Sequence, residues 1–462
     1  MRKIFTAFAV TAAIGAALPA WSETLADALT SAYKESHLLD QNQAVLRAAD
    51  EDAAIAVAQL RPVIDFVTRG AWTKYDNKTA NIFSGLTTPY FEDFSSSASL
   101  TASVLIYAGG RGKLGVEAAH EAVLATRAGL VNVEQQVLLD AVSAYVNVQL
   151  QGEIVALRES NVRLIGQELR AAKDRFDVGE VTLTDVSLAE ARLAAANSGL
   201  AAAQGELEVA RERYKAAVGH YPDHLARLPK LPKIAKTEDK ARSIAVRNHP
   251  SVIQAQHEAK IADLRVKIAK GAFLPTVNGQ IGVNEALDTG AGNASIGVTM
   301  SQPLYHGGEL SALYRQSLAR KEAAEAGMHQ VSVAVAENVG QAWANLIVSQ
   351  ASIQAGSLQV TAAQKAFDGV REEATLGART TLDVLNAEQE LLSARATKLQ
   401  AEANRYVGVY QLLQVTGQLT AEQLNLGIPT FDPEAYYNAV KKAPATSTRG
   451  KKLDKILGKI AN

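Results

Sequence analysis

The chain has no cysteine at any of its 462 positions. Disulfides, thiolate catalysis and a lipid anchor on an N-terminal cysteine are therefore excluded. Proline is scarce, and none falls between Gly110 and Asp177, so nothing there breaks a helix. Charge is balanced, 47 basic against 48 acidic residues. With no central basic stripe, that balance argues against nucleic acid as the main partner. Beyond the N-terminus no stretch is apolar enough to form a membrane-spanning helix. No nucleophile–base arrangement is visible, and His249, His257 and His306 lack ligand-like companions. No catalytic, cofactor or structural metal site is therefore expected. Gly109-Gly110-Arg111-Gly112-Lys113 has the flavour of a phosphate loop, but Leu114 replaces the hydroxyl residue and Tyr107 the first glycine. It reads as a strand-to-helix hinge.

What is present begins with a leader. Arg2 and Lys3 precede the apolar run Ile4 to Leu18, and Ala20-Trp21-Ser22 follows. A charged segment, an apolar segment and small residues in that order predict a secretory signal peptide over 1–22, with Glu23 starting the mature chain. The alternative is an uncleaved anchor, for which the run is short.

The mature chain then says one thing twice. Tyr107-Ala-Gly109-Gly110 returns as Tyr305-His-Gly307-Gly308, 198 positions on. The same offset carries Gly179 onto Gly377, Thr182 onto Thr380, Asp185 onto Asp383, Glu190 onto Glu388 and Gly219 onto Gly417. A long-period duplication predicts two structural repeats, 23–219 and 241–419, with connecting segments at 220–240 and 420–440. Residues 441–462 carry seven Lys and Arg, from Lys441 to Lys459. They read as a mobile basic tail, with membrane-surface binding as the alternative.

Each repeat contains a pair of alternating segments. In the second, Val277, Gly279, Ile281 and Val283 share one face, and Ile296, Val298 and Met300 follow on the return strand after a turn at Asp288–Asn293. In the first, a strand runs from Val63 to Tyr75 and returns from about Ser97 to Ile106. The intervening stretch holds Phe83, Tyr90, Phe91 and Phe94. Apolar residues alternating with small polar ones, with aromatics at one end, fit a transmembrane β-barrel wall. A soluble sandwich edge is the alternative. Four strands cannot close a barrel, and an open edge in lipid leaves backbone groups unsatisfied, so closure needs other copies of the chain.

The rest is helical. A helix from Gly110 to Asp177 would span about 100 Å at roughly 1.5 Å per residue. The next carries the seam Val186, Ala189, Leu193, Ala196, Leu200, Ala203, Leu207, Ala210, Tyr214, Ala217, with spacings of three and four. The second repeat keeps a looser seam through Leu382, Leu385, Gln389 and Leu392. Single shorter helices are expected at about Leu25–Leu60 and Asp239–Phe273. Hairpins reverse at Val178 to Val186 and Leu376 to Val384, where Gly179 and Gly377 can end one helix. Thr182 or Thr184, and Thr380 or Thr381, can cap the next.

Signal peptide, duplicated strand pair with coiled helices, Tyr-x-Gly-Gly junctions and Gly-x-x-Thr-x-x-Asp-Val turns together resemble the TolC family of outer-membrane efflux proteins. The match runs to about Leu426. The resemblance implies a mainly α protein with a transmembrane β portion. Three protomers would give four strands each to a twelve-stranded barrel, continued by an α-helical coiled-coil barrel across the periplasm. It implies a passive exit duct for drugs or secreted proteins, partnered by a periplasmic adaptor, an inner-membrane pump or ABC transporter, and outer-membrane lipid. In the family the two reversals form the periplasmic tip. Asp383 matches one of two aspartates ringing the closed entrance, where three carboxylates brought together would repel, raise at least one pKa and offer a site for cation block. The second aspartate falls on Asn386. Arg379 matches an arginine that ties neighbouring coils shut, and Asp185 with Thr184 match its partners. A family tyrosine falls on Ala374, so part of that latch is missing. Val178, Gly179, Leu376 and Gly377 match adaptor-contact positions. The rival reading is a periplasmic coiled-coil adaptor or scaffold without a pore.

Overall fold

A computed structural model describes residues 22–76 and 90–443, together with Lys451 and Lys455. Residues 1–21 of the expected signal peptide, Phe83 and nearly all of the basic tail lie outside the described residues. The elements run α1 (Leu25–Glu35), α2 (His37–Ala58), β1 (Val63–Asp76), β2 (Tyr90–Ala108), α3 (Arg111–Asp177) and α4 (Leu183–Val218). They continue as α5 (Glu238–Asn248), α6 (Pro250–Gly271), β3 (Thr276–Ala286), β4 (Gly292–Ser301), α7 (Glu309–Thr375), α8 (Thr381–Val415) and α9 (Pro433–Val440). Helices α3 and α7 begin and end 198 positions apart, whereas α1 and α5, and α2 and α6, are 213 apart. The difference falls in the first repeat's strand hairpin.

Two expected single helices are each broken. Ser36 is extended at φ −74°, ψ 102°, and His249 at φ −66°, ψ 129°. His249 precedes Pro250, whose ring disfavours a helical residue before it. The pyrrolidine then occupies the first position of α6, where no N–H is needed.

The chain forms two compact units. The first comprises Met1–Ser36, Leu138–Pro232 and Ile347–Val407. Glu23 is locked into it: Tyr145 Oη donates to the Glu23 carbonyl at 2.9 Å, and Tyr214 Oη donates to its carboxylate at 2.5 Å. Along α4 the alanines Ala189, Ala196, Ala203 and Ala210 are buried, while Leu193, Leu200 and Leu207 stay half-buried. Small residues let the helices approach closely, and the leucines await further cover.

The second unit comprises His37–Val137, Lys233–Leu346 and Gly408–Asn462. Its sheet has the antiparallel order β1-β2-β3-β4. Strand β2 starts earlier than expected: Tyr90 to Ser96, read as part of the connection, pair with Asp76 to Gly70. Extending the ladder satisfies the β2-facing side of β1 to its end and sets Phe94 opposite Trp72, a favourable cross-strand pair. Ile296, Val298, Phe66 and Trp72 are all more than two-thirds exposed. The helix α9, unmarked in the sequence reading, is started by Asp432, whose carboxylate accepts from the Glu434 N–H at 2.8 Å. Phe431 and Tyr437 around it pack on Leu46, Ala53 and Val123.

At the β2–α3 junction Gly109 has φ +61°, and a Cβ there would lie 2.4 Å from the Gly271 carbonyl oxygen. Gly110 has φ +79° but open space around it. Gly109→Ala combines left-handed strain of roughly 1–2 kcal/mol with a backbone clash, and Gly110→Ala only the strain. Thermal unfolding followed by circular dichroism in detergent is expected to show the larger loss for Gly109→Ala.

Candidate functional site

The two reversals are built from the same backbone chemistry. After α3 the Gly179 N–H donates to Phe176 O and the Glu180 N–H to Arg175 O, both at 2.9 Å. After α7 the Gly377 N–H donates to Ala374 O at 3.2 Å and the Ala378 N–H to Glu373 O at 2.9 Å. This pair of bonds is the Schellman closure, which needs a left-handed residue at the glycine. Gly179 and Gly377 supply it at φ +80° and +78°.

The following helices start on reciprocal caps. Thr182 Oγ1 accepts from the Asp185 N–H at 3.3 Å, while Asp185 Oδ2 accepts from the Thr182 N–H at 3.0 Å and its hydroxyl at 2.7 Å. Thr380 and Asp383 repeat this at 3.2, 3.0 and 2.8 Å. The caps are thus Thr182 and Thr380. Thr184 is exposed in the first turn of α4, and Thr381 is buried in that of α8.

Hydrogen bonding sets the charge of both aspartates. Bonds from the Thr182 hydroxyl and then its backbone N–H hold Asp185 below the usual carboxylate range. For Asp383 the Thr380 N–H comes first, then the hydroxyl, with Arg379 adding a smaller pull. Within the single chain Asp383 is therefore shifted opposite to the rise expected for a carboxylate ring, because donors rather than like charges surround it.

Arg379 and Asp185 do not meet within the chain. Arg379 Nε lies 2.8 Å from Glu373 Oε2, and that pair raises the guanidinium pKa further. Asn386 does not stand alone either: its Oδ1 accepts from Arg192 Nη2 of α4 at 3.1 Å. Ala374 is 5 % exposed, packed with Phe367, Val384 and Leu391. A tyrosine would not fit that contact as packed. Val178 and Leu376 stand 70 % and 83 % exposed beside their glycines, and Leu183 of α4, which the sequence did not single out, is exposed with them.

The sequence reading also missed Glu388. The looser seam of α8 put Gln389 inward, yet Gln389 is exposed and Glu388 buried. The available signal was its place as a duplication landmark, equivalent to Glu190. His257 likewise has a partner that spacing did not reveal, Glu121 Oε2 at 2.7 Å from its Nδ1. Among the described residues no cluster of His, Asp and Glu is arranged to hold a metal.

Because both aspartates are held low, their capping is intact at neutral pH and is lost only as pH falls through their depressed pKa values. Replacing Thr380 or Thr182 by alanine is expected to cost about 1 kcal/mol of local helix stability. Faster amide hydrogen exchange in the first turn of α8 or α4, respectively, checks it.

Residues 28–220 and 241–418 match the family model described as outer membrane efflux protein. The chain is 36% identical over 431 residues to the outer membrane efflux protein BepC of Brucella suis, covering 91% of each chain. It is 25% identical over 312 residues to the outer membrane protein TolC of Escherichia coli K12, covering 63% of each. The crystal structure of the outer membrane protein VceC from Vibrio cholerae superposes with a TM-score of 0.73 at 20% identity, over 85% of this chain and 96% of that one. The fold is TolC-like, and the family is one of transport channels. The chain belongs to the outer membrane efflux protein family and is an outer-membrane channel that reaches into the periplasm.

Proposed function

We propose that three copies of the chain assemble one channel-tunnel. In it twelve strands close a barrel in outer-membrane lipid, and the coiled helices of the two repeats, 23–219 and 241–419, line a periplasmic duct. The duct is passive. A periplasmic adaptor and an inner-membrane pump or ABC transporter open it by binding the open state better than the closed one. The observation that carries this reading is the sheet, whose edge strands β1 and β4 lack a neighbour among the described residues and whose apolar side chains lie exposed. A pore-less adaptor or scaffold would have no use for such a surface.

The reversals are the gate in this reading. Asp383 lies near the threefold axis and controls cation access, while Asn386 contributes no second charge. Val178, Gly179, Leu376 and Gly377 are the adaptor contacts. Arg379 of one coil pairs with Asp185 and Thr184 of a neighbour in the shut state. Glu373 competes for the same guanidinium, since it holds Arg379 in the isolated chain.

Single-channel recording in planar bilayers tests the gate. Arg379→Ser with Asp185→Ala is expected to raise basal conductance well above the parent, and Glu373→Gln to lower it by freeing Arg379 for the latch. In the same recordings Asp383→Asn should strongly weaken block by divalent cations. A double variant as tightly shut as the parent would remove the latch from this reading, and unchanged block would place the cation site elsewhere.

A further inference from the structure

The α3–α4 hairpin carries an ion pair between its arms: Lys173 Nζ lies 2.8 Å from Glu190 Oε1, both half-exposed. One repeat later, 198 positions on, the same places hold Arg371 on α7 and Glu388 on α8. There each residue has turned to α3 instead. Arg371 Nε reaches Glu168 Oε1 at 3.4 Å, and Asn161 Nδ2 donates to Glu388 Oε1 at 2.5 Å. Both arms of the second hairpin are thereby tied to the first.

The tie is buried. Glu388, Asn161 and Glu168 are 5%, 6% and 7% exposed, and Glu388 Oε2 is enclosed without a hydrogen-bond partner. Apolar contacts interlock around it. Leu164 of α3 packs into the α7–α8 cluster with Val384 and Leu391, and Leu385 of α8 packs into the α3–α4 cluster with Ile165 and Ala189. The charged group that acts on Glu388 is Glu168 from α3, itself bound by Arg371 from α7, while Arg192 from α4 is taken up by Asn386.

We propose that Arg371 exchanges partners when the gate opens: it holds Glu168 while the α7–α8 tip is packed on α3, and takes Glu388 when that tip moves away. The open pair is the one that Lys173 and Glu190 already make in the first repeat. The proposal rests on the channel reading above and adds a second, buried lock to the exposed turns.

The exchange is linked to a proton. Burial first, with the charge of Glu168 adding and the Asn161 bond opposing, pushes the Glu388 carboxyl up to about 7. In the packed state Glu388 therefore keeps its proton at pH values below about 7. On exposure it releases the proton to water, and the carboxylate gains Arg371. A pKa raised in the packed state stabilises that state below the ordinary carboxylate range, and the advantage is lost as pH rises through about 7. No histidine lies in residues 138–218 or 347–415 to titrate there instead.

The test is the open fraction of the full-length channel in planar bilayers at about pH 5 and pH 8. Wild type is expected to open on the order of fiftyfold more at the higher pH, since each unit of the gap between the ordinary 4.5 and about 7 provides a factor of ten. Glu388→Gln keeps a neutral side chain of the same shape and is expected to stay shut at both. Glu168→Gln removes the resting partner of Arg371 and should move the rise to lower pH. Glu190→Gln, in the pair that does not exchange, should behave as wild type. A wild-type open fraction that ignores pH, or a Glu388→Gln channel that keeps the wild-type pH response, overturns the proposal. An unshifted response in Glu168→Gln overturns the exchange of partners. A protein that forms no channel in any of these conditions sinks the channel reading instead.

Discussion

Backbone groups along the outer sides of β1 and β4 have no partner strand among the described residues. Hydrocarbon offers no water in exchange, so each unpaired N–H or C=O held there costs several kcal/mol. That constraint makes the single chain an incomplete object and gives its exposed apolar strands a purpose. The helices repeat the demand in milder form. Alanines at every seventh position of α4 are covered inside the chain, while the leucines between them are left half-open. Both features point to further copies of the same chain as the missing neighbours.

At the helical reversals the two repeats share their backbone and differ in their charges. Turning one long helix back on another restricts the glycine and the cap, so Gly179 and Gly377, Thr182 and Thr380, and Asp185 and Asp383 hold equivalent places. Charged side chains face no such restriction. Arg175 of the first repeat becomes Glu373 in the second, Val181 becomes Arg379, and Lys173 with Glu190 becomes Arg371 with Glu388. The second hairpin thus holds Arg379 within its own turn and ties itself to α3 through two buried carboxyl groups. Divergence on a fixed frame is what would let one hairpin move while the other stays.

Most of the frame was legible because it is written in local chemistry. Long proline-free runs give α3 and α7, period-two alternation gives the strands, and glycine followed by threonine and aspartate gives the turns. The duplication confirmed each reading against a second copy. What escaped depends on packing. The break before Pro250 was visible in principle, but its equivalent at Ser36 carries no proline. The early start of β2 follows from the length of its partner β1 rather than from its own polar sequence. Glu388 escaped because an acidic residue inside a seam contradicts the rule used to draw the seam, and only its contact with Asn161 explains it. Arg379 showed its charge but not its partner, since the choice between Glu373 and Asp185 is one of geometry.

Closure of the sheet by neighbouring copies is the central claim, and disulfide crosslinking across the barrel seam tests it most directly. The chain has no cysteine of its own, so introduced thiols report without background. Within one chain β1 and β4 are three strand spacings apart, roughly 14 Å, well beyond the Cα separation of about 7 Å that a disulfide tolerates. Cysteines scanned in pairs along β1 and β4 can therefore bond only between copies. The account predicts that at least one register gives oxidised dimer and trimer in membranes, with the ladder stopping at three. Monomer at every register, or a ladder that runs past three, would contradict it.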